Sequence, residues 1–370
     1  LRSLDALQQD LDAGQSKCME FPGLSCNGQA GFQRRTTTAK NVVGLLQGTS
    51  PDGEAIVIGA HYDHLGKRKP LQRRFQHGQL VKEKVEPQIH NGADDNASGT
   101  SGLIEIAKWF TEGPKPSRSV IFVAFSAEEA GLHGSKHYTN IPTIPLSKIV
   151  AMLNMDMIGR MPKSKDQVQV FGLDSASEFD DIVRASAADH KLGILPGVDS
   201  GGRSDHAPFL RRRIPSIHFF SGHHSDYHQP SDDSEKINAR DGTRVAKLVF
   251  DVARDLANRS DRPAFQESKS AAADPAAPTA TFRVVMGLSP NYANDGQPGM
   301  GVDGVTSDGP ADIAGMRTGD RIIRIGDKPV ANIYDYMAAT RGNSPGDTVD
   351  VVVLRNGKEM TLKVKLSGTR

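Results

Sequence analysis

Glu128 and Glu129 stand directly behind the apolar run Val120-Ile-Phe-Val-Ala-Phe125, with Ser126 and Ala127 between. A run of that kind reads as a strand buried on both faces. Burying an unpaired carboxylate is costly, so a carboxylate pair at the tip of a core strand needs a compensating charge. A metal ion supplies it: one carboxylate ligates, and the other, pointing elsewhere, takes the proton of an attacking water. Taken alone, the pair fits a helix N-terminus better, where the dipole favours Glu. The rest of the chain separates these readings. His61 and Asp63 follow the apolar run Ala55–Ala60, Asp94-Asp95 open a helical pattern, Asp156 follows Ile149–Asn154, and His228 lies beyond Pro215–Phe220. Zinc takes imidazole nitrogen and carboxylate oxygen, and two cations can share a bridging carboxylate and one water. His61, Asp95, Glu129, Asp156 and His228 offer that donor set, with Glu128 left over as a base.

These residues are far apart in sequence, so the fold must gather them. Apolar runs alternate with helical periods such as Leu103, Ile106, Ala107 and Phe110. Val245, Leu248, Val249, Val252 and Leu256 form another. This alternation predicts an α/β three-layer sandwich with a mostly parallel central sheet. Ligands of open α/β sheets bind beyond the carboxyl ends of the strands, and the acidic and histidine clusters fall at those ends. Residues 65–89 are a polar excursion with Lys67, Arg68, Lys69, Arg73 and Arg74, read as a solvated loop near the site. No aromatic interleaving makes it a nucleic-acid patch.

At 370 residues the chain is long for one domain. Residues 1–262 form the first predicted unit, with a weak helical period at Leu4, Leu7 and Leu11. Residues 263–281, rich in Ala, Ser and Pro, have no apolar period and read as a linker. Residues 282–370 turn β-rich, with a strand at Arg321–Ile325, a small helix near Ile333 and a hairpin about Asn356-Gly357. The net charge of +1 gives no global pull toward nucleic acid or a membrane surface. No apolar run approaches the ~20 residues of a membrane span. The sequence begins at Leu1 without the charged and apolar regions of a leader, so the expectation is that a signal peptide was never there or has been removed. Cys18 and Cys26 fit one bridge or two free thiols.

Five motifs carry a resemblance. They are Gly59-Ala-His-Tyr-Asp-His-Leu-Gly66, Asn91-Gly-Ala-Asp-Asp-Asn-Ala-Ser-Gly99, Phe125-Ser-Ala-Glu-Glu-Ala-Gly-Leu-His-Gly-Ser135, Leu153-Asn-Met-Asp156 and Asp226-Tyr-His-Gln-Pro-Ser-Asp232. In this order, over roughly residues 38–260, they resemble the di-zinc aminopeptidases of the bacterial aminopeptidase S and leucyl aminopeptidase type. The resemblance implies two zinc ions, with cobalt or manganese as acceptable substitutes. It implies that His61 and Asp156 bind the first, Glu129 and His228 the second, and that Asp95 bridges both. Asp63 is then expected behind His61, accepting its other ring nitrogen. Glu128 is expected to be the general base, and Tyr227 to donate a hydrogen bond to the tetrahedral oxyanion. A cis peptide is expected between Asp95 and Asn96. The implied substrate is a peptide with a free N-terminus, and the implied location is outside the cytoplasm. Relatives of the same fold act as carboxypeptidases or glutaminyl cyclases, and a non-catalytic peptide-binding scaffold is the alternative from another class.

Of the twelve histidines only His61 and His228 are assigned as ligands. His64, His90, His206, His223 and His224 are read as hydrogen-bonding neighbours or surface groups, Asp94 and Asp205 as loop-fixing, and Trp109 as core packing. The C-terminal unit resembles a PDZ domain of the bacterial protease-associated kind, through Val284-Val-Met-Gly-Leu-Ser-Pro290 and the stretch Val305–Ile323. That resemblance implies capture of a C-terminal peptide by strand addition, with Gly287 and Leu288 at its carboxylate. The alternative is a module that only packs and binds nothing.

Overall fold

A computed structural model describes residues 36–68, 75–76, 79–80, 86–161, 166–197, 204–224, 226–267, 284–290, 297–341 and 343–368. The period of Leu4, Leu7 and Leu11, both cysteines, and most of the predicted linker and basic excursion lie outside them.

The first unit contains β1 (Val42–Leu46), β2 (Ala55–His61), α1 (Gly99–Glu112), β3 (Ser119–Phe125), α2 (His133–Asn140), β4 (Ile149–Met155) and β5 (Gln167–Phe171). These are followed by α3 (Phe179–Asp189), β6 (Gly193–Gly197), α4 (Ala207–Arg211), β7 (Ser216–Phe220) and α5 (Ala239–Asn258). One seven-stranded sheet runs in the order β1-β3-β2-β4-β7-β5-β6. β3, β2, β4 and β7 pair parallel, so their carboxyl ends share one edge. β1 joins β3 antiparallel at one side, and β5 joins β7 antiparallel at the other.

Every residue of β2 and β4 is buried, as the unbroken apolar runs require. The strand alternation divides them between two layers. Ile56, Ile58, Val120 and Phe122 pack toward Leu103, Ile106 and Phe110 of α1 and the apolar stripe of α5. Val57, Ile121, Val123 and Phe125 pack on the other face toward Tyr138 of α2 and Phe209 of α4. Val245, Leu248, Val249, Val252 and Leu256 of α5 are all fully buried, each contributing about 1.5–3 kcal/mol. Asn238 caps that helix by accepting from the Asp241 amide at 3.2 Å. Trp109 lies partly buried at the rim of this core, edge-on to Phe250.

The second unit contains β8 (Val284–Val285), β9 (Leu288–Pro290), β10 (Met300–Val305), α6 (Pro310–Ile313), β11 (Arg321–Ile325) and β12 (Lys328–Pro329). It continues with α7 (Ile333–Thr340), β13 (Thr348–Arg355), β14 (Lys358–Lys365) and β15 (Ser367–Gly368). The sheet order is β9-β10-β11-β13-β14, with β12 on β11. Asn356 and Gly357 both take positive φ, 50° and 76°, the backbone of a two-residue turn matched to the twist of β13 and β14. Its own core includes Met300, Ile322, Val351, Val353 and Val364.

β5 and β6 are absent from the sequence reading. Gln-Val-Gln-Val-Phe is short and half polar, and Gly-Ile-Leu-Pro-Gly carries the residues that argue against a strand. Register on the neighbouring strands holds both in place.

Candidate metal centre

The carboxyl ends of β2, β3, β4 and β7 deliver His61, Glu128-Glu129, Asp156 and Tyr227-His228 to one place. Asp95 arrives from the irregular turn 93–98 that opens α1, and the Asp95–Asn96 peptide is cis, as expected. Asn96 locks this turn to the end of β4: its Nδ2 donates to the Met155 carbonyl at 3.0 Å, and its Oδ1 accepts from the Met157 amide at 3.2 Å. The Asp94 and Asp95 amides both donate to Asp232, at 3.0 and 3.1 Å. Asp94 accepts from the Gly159 amide at 2.7 Å and meets His224 Nε2 at 3.1 Å, which is the loop-fixing role expected of it.

Asp95 faces two ways. Its Oδ1 lies 3.3 Å from His61 Nε2, which is also 3.3 Å from Asp156 Oδ1. Its Oδ2 lies 3.2 Å from His228 Nε2, which is 3.1 Å from Glu129 Oε2. Two donors on a tetrahedral cation, each at ~2.0–2.1 Å, stand about 3.3 Å apart, so these spacings suit ligands of a common ion. His61, Glu128 and Asp156 have donor atoms within 4.8 Å of one another, and so do His64, Asp95 and Glu129. Several of these atoms, including Glu129 Oε1 and both ring nitrogens of His64, are buried without a hydrogen bond among the described residues. Buried, unpaired nitrogen and oxygen donors of this kind fit zinc or a similar divalent cation.

Electrostatics follow from the crowding. Burial pushes the Glu128 carboxyl up to about 9, reinforced by Asp156, Asp205 and Glu129 and opposed by His61. Burial also acts to raise Glu129, but His228 and His64 outweigh it and hold the carboxyl at about 2. Burial disfavours charge on His228, yet Asp95 and Glu129 raise its pKa to about 9. Two adjacent carboxylates thus lie in opposite environments, one poised to carry a proton and one held ionised. Tyr227 stacks on His228 with ring centroids 3.9 Å apart. Burial and the surrounding carboxylates raise its phenol well above the ordinary value, keeping the hydroxyl protonated as a donor. Asp226 ties this loop to Arg160 at 3.1 Å and to Lys236 at 2.6 Å.

One reading changes, and two others gain detail. The Asp63 carboxylate is 3.8 Å from His61 Nδ1, too far to accept from it. The ring nitrogen reaches the Asp63 carbonyl at 3.0 Å instead. The carboxylate turns toward the strand end, accepting from the Glu128 amide at 3.1 Å and the Glu129 amide at 3.4 Å. Asp63 therefore orients His61 through its backbone and the glutamates through its side chain. His64 is not a surface group but a buried neighbour, one of the two roles read for it: its Nδ1 comes within 2.8 Å of Glu129 Oε1. The His-Tyr-Asp-His spacing held that signal, since a turn after β2 returns position 64 to the side of position 61. Asp205, read as loop-fixing, is fully buried, and its pKa rises to about 6 through burial, with His61 opposing and Asp156 and Asp63 adding to the rise.

In the second unit, Gly287 and Leu288 sit where β8 gives way to β9, the end strand of its sheet. The Gly287 carbonyl accepts from the Thr306 amide and the Met286 carbonyl from the Ala311 amide, both at 2.8 Å. Pro290 occupies this edge, where a missing N–H is tolerated.

A mostly parallel sheet whose carboxyl edge gathers imidazoles and carboxylates on both sides of Asp95 defines an α/β protein with a candidate metal site. The chain belongs to Peptidase family M28, whose model matches residues 41–253, and a PDZ domain model matches residues 284–366. It is 31% identical to aminopeptidase YwaD of Bacillus subtilis over 61% of this chain and 46% of that protein. It is also 31% identical to leupeptin-inactivating enzyme 1 of Streptomyces exfoliatus over 46% of this chain and 38% of that one. The chain thus spans less than half the length of these relatives. Among solved structures, BSAP, a zinc aminopeptidase from Bacillus subtilis, is similar at 25% identity with a TM-score of 0.48, covering 62% of this chain and 52% of that one.

Proposed function

We propose that this chain is a zinc-dependent aminopeptidase with two cations in its site, cobalt or manganese serving as substitutes. The observation that carries the reading is the two-sided placement of Asp95, one oxygen toward His61 and Asp156 and the other toward His228 and Glu129. Membership of Peptidase family M28 and the names of the relatives support it.

His61, Asp95 and Asp156 would hold one cation, and Asp95, Glu129 and His228 the other. When bound, the cations supply Lewis acidity toward the scissile carbonyl and make water a better nucleophile at neutral pH. Glu128, not needed as a ligand, accepts the proton of the attacking water and returns it to the leaving amine. Tyr227, held protonated, donates a hydrogen bond to the developing oxyanion. Asp63 fixes the backbone from which Glu128 and Glu129 project.

The substrate is proposed to be a peptide with a free N-terminus. Hydrolysis of aminoacyl anilides with free and blocked amines tests this: the free substrates turn over, the blocked ones do not, and a chelator abolishes the activity. Two bound cations with no turnover of any free-amine substrate would redirect the reading to a carboxypeptidase.

The boundaries proposed for the chain are residues 1–262, a linker at 263–281 and residues 282–370. Phe265 still pairs with Ala176, and Gln266 donates to the Ser175 carbonyl, so the start of that linker stays attached to the first unit. Capture of a peptide C-terminus at Gly287 and Leu288 is proposed for the second unit, supported by its PDZ match. Among the described residues no helix is long and apolar enough to cross a membrane. Export is proposed from the family resemblance and is tested by fractionating cells that express the protein.

A further inference from the structure

The second cation is held by more than the three groups assigned to it above. We infer that His64 Nδ1 is a fourth protein ligand of the ion held by Asp95, Glu129 and His228, an inference that rests on the metal-dependent reading.

The His64 side chain is 8% exposed. Its Nδ1 lies 2.8 Å from Glu129 Oε1 and 3.8 Å from Asp95 Oδ2. Apart from this approach neither Nδ1 nor Glu129 Oε1 has a partner among the described residues, so the two atoms face each other at a spacing that a shared cation can occupy. The ring stands edge-on to His228, centroids 5.8 Å apart. It is held from behind as well. Gly92 has φ +66°, and a Cβ there would come within 2.5 Å of His64 Cγ. The loop that carries Asp95 thus leaves out a side chain where the imidazole sits.

The two halves of the site then differ in kind. Asp95, Glu129, His228 and His64 give one ion four protein donors, the count of a closed site. His61, Asp95 and Asp156 give the other three, the count that leaves a position open for water or substrate. Glu128 clusters with His61 and Asp156, on the open side. The four-donor position fills first when zinc is limiting, and the three-donor position carries the exchangeable ligand.

The test is a crystal structure of the wild-type protein loaded with zinc, located by anomalous scattering at the zinc edge. The expected result is His64 Nδ1 at ~2.0–2.1 Å from the ion that also touches Glu129. Two bound ions with His64 Nδ1 beyond about 3 Å would overturn this inference and leave the proposed function standing, whereas no bound ion would overturn both. In solution, His64→Phe and His64→Ala are titrated with zinc against a chelating dye. One of the two ions weakens by at least ~10–100-fold in both variants. Wild-type affinity at both ions in either variant would overturn the inference.

Discussion

Asp320 in the second unit and Asp95 in the first are both buried aspartates, 1% and 3% exposed, and they are neutralised in opposite ways. Asp320 receives a two-pronged guanidinium from Arg355, at 2.7 Å to Oδ1 and 2.6 Å to Oδ2, and the Arg317 amide at 2.9 Å. Its carboxyl is driven below the ordinary value by Arg355 and Arg317 despite burial. Asp95 meets His61 and His228 and sits among further carboxylates. The chain places arginines where charge is to be cancelled within the protein: Arg118 does the same for Glu54 at 2.7 Å. It places imidazoles, which are neutral ligands when metals bind, where charge is left for a cation. The same residue type at the same depth thus serves as a structural strut in one unit and, in the function proposed above, as a ligand in the other.

Substitutions separate these two uses. Asp95→Ala removes the bridge. Both ions are lost and hydrolysis falls by more than ~10⁴-fold, as metal analysis and anilide assays would show. Unchanged metal content in this variant would break the comparison. Glu128→Gln leaves every assigned ligand in place, so metal is retained while kcat drops by ~10²–10⁴-fold. Concurrent loss of metal would move Glu128 from base to ligand. Tyr227→Phe costs on the order of 10²-fold in kcat with metal content unaltered. A change confined to KM would assign the hydroxyl to binding.

The strut behaves differently. Asp320→Asn strands Arg355 and destabilises the second unit by about 3 kcal/mol while zinc content stays at the wild-type level. The pH dependence has a definite sign. The folded pKa of Asp320 is depressed, so its contribution is complete above the unfolded value of ~3.9 and is lost as pH falls through the folded value. Denaturation profiles of wild type and variant are therefore well separated at neutral pH and converge in acid. A gap that widens in acid would contradict the assignment.

The sheet and the assembly of the donors were legible because each core strand is an unbroken apolar run that ends on a titratable residue. Parallel pairing then converts separate motifs into one edge. What stayed hidden depends on backbone direction. Asp63 was expected to meet His61 with its carboxylate, yet the turn after β2 presents the carbonyl and sends the side chain to the Glu128-Glu129 amides. His64 stands three residues after His61, and only the path of that turn distinguishes a surface imidazole from one directed at Glu129. Asp205 precedes a short helix with nothing in its neighbours to announce full burial. β5 and β6 carry Gln, Gly and Pro and are recruited by neighbouring strands rather than by their own pattern.

The most direct test of the account is metal stoichiometry. The wild-type protein is stripped with a chelator, reconstituted with zinc, dialysed, and analysed for zinc per chain alongside its turnover of a free-amine anilide. The account predicts activity that returns with zinc and a final content of two ions per chain. A protein that binds no zinc after reconstitution, or hydrolyses the substrate equally well without it, would contradict the account.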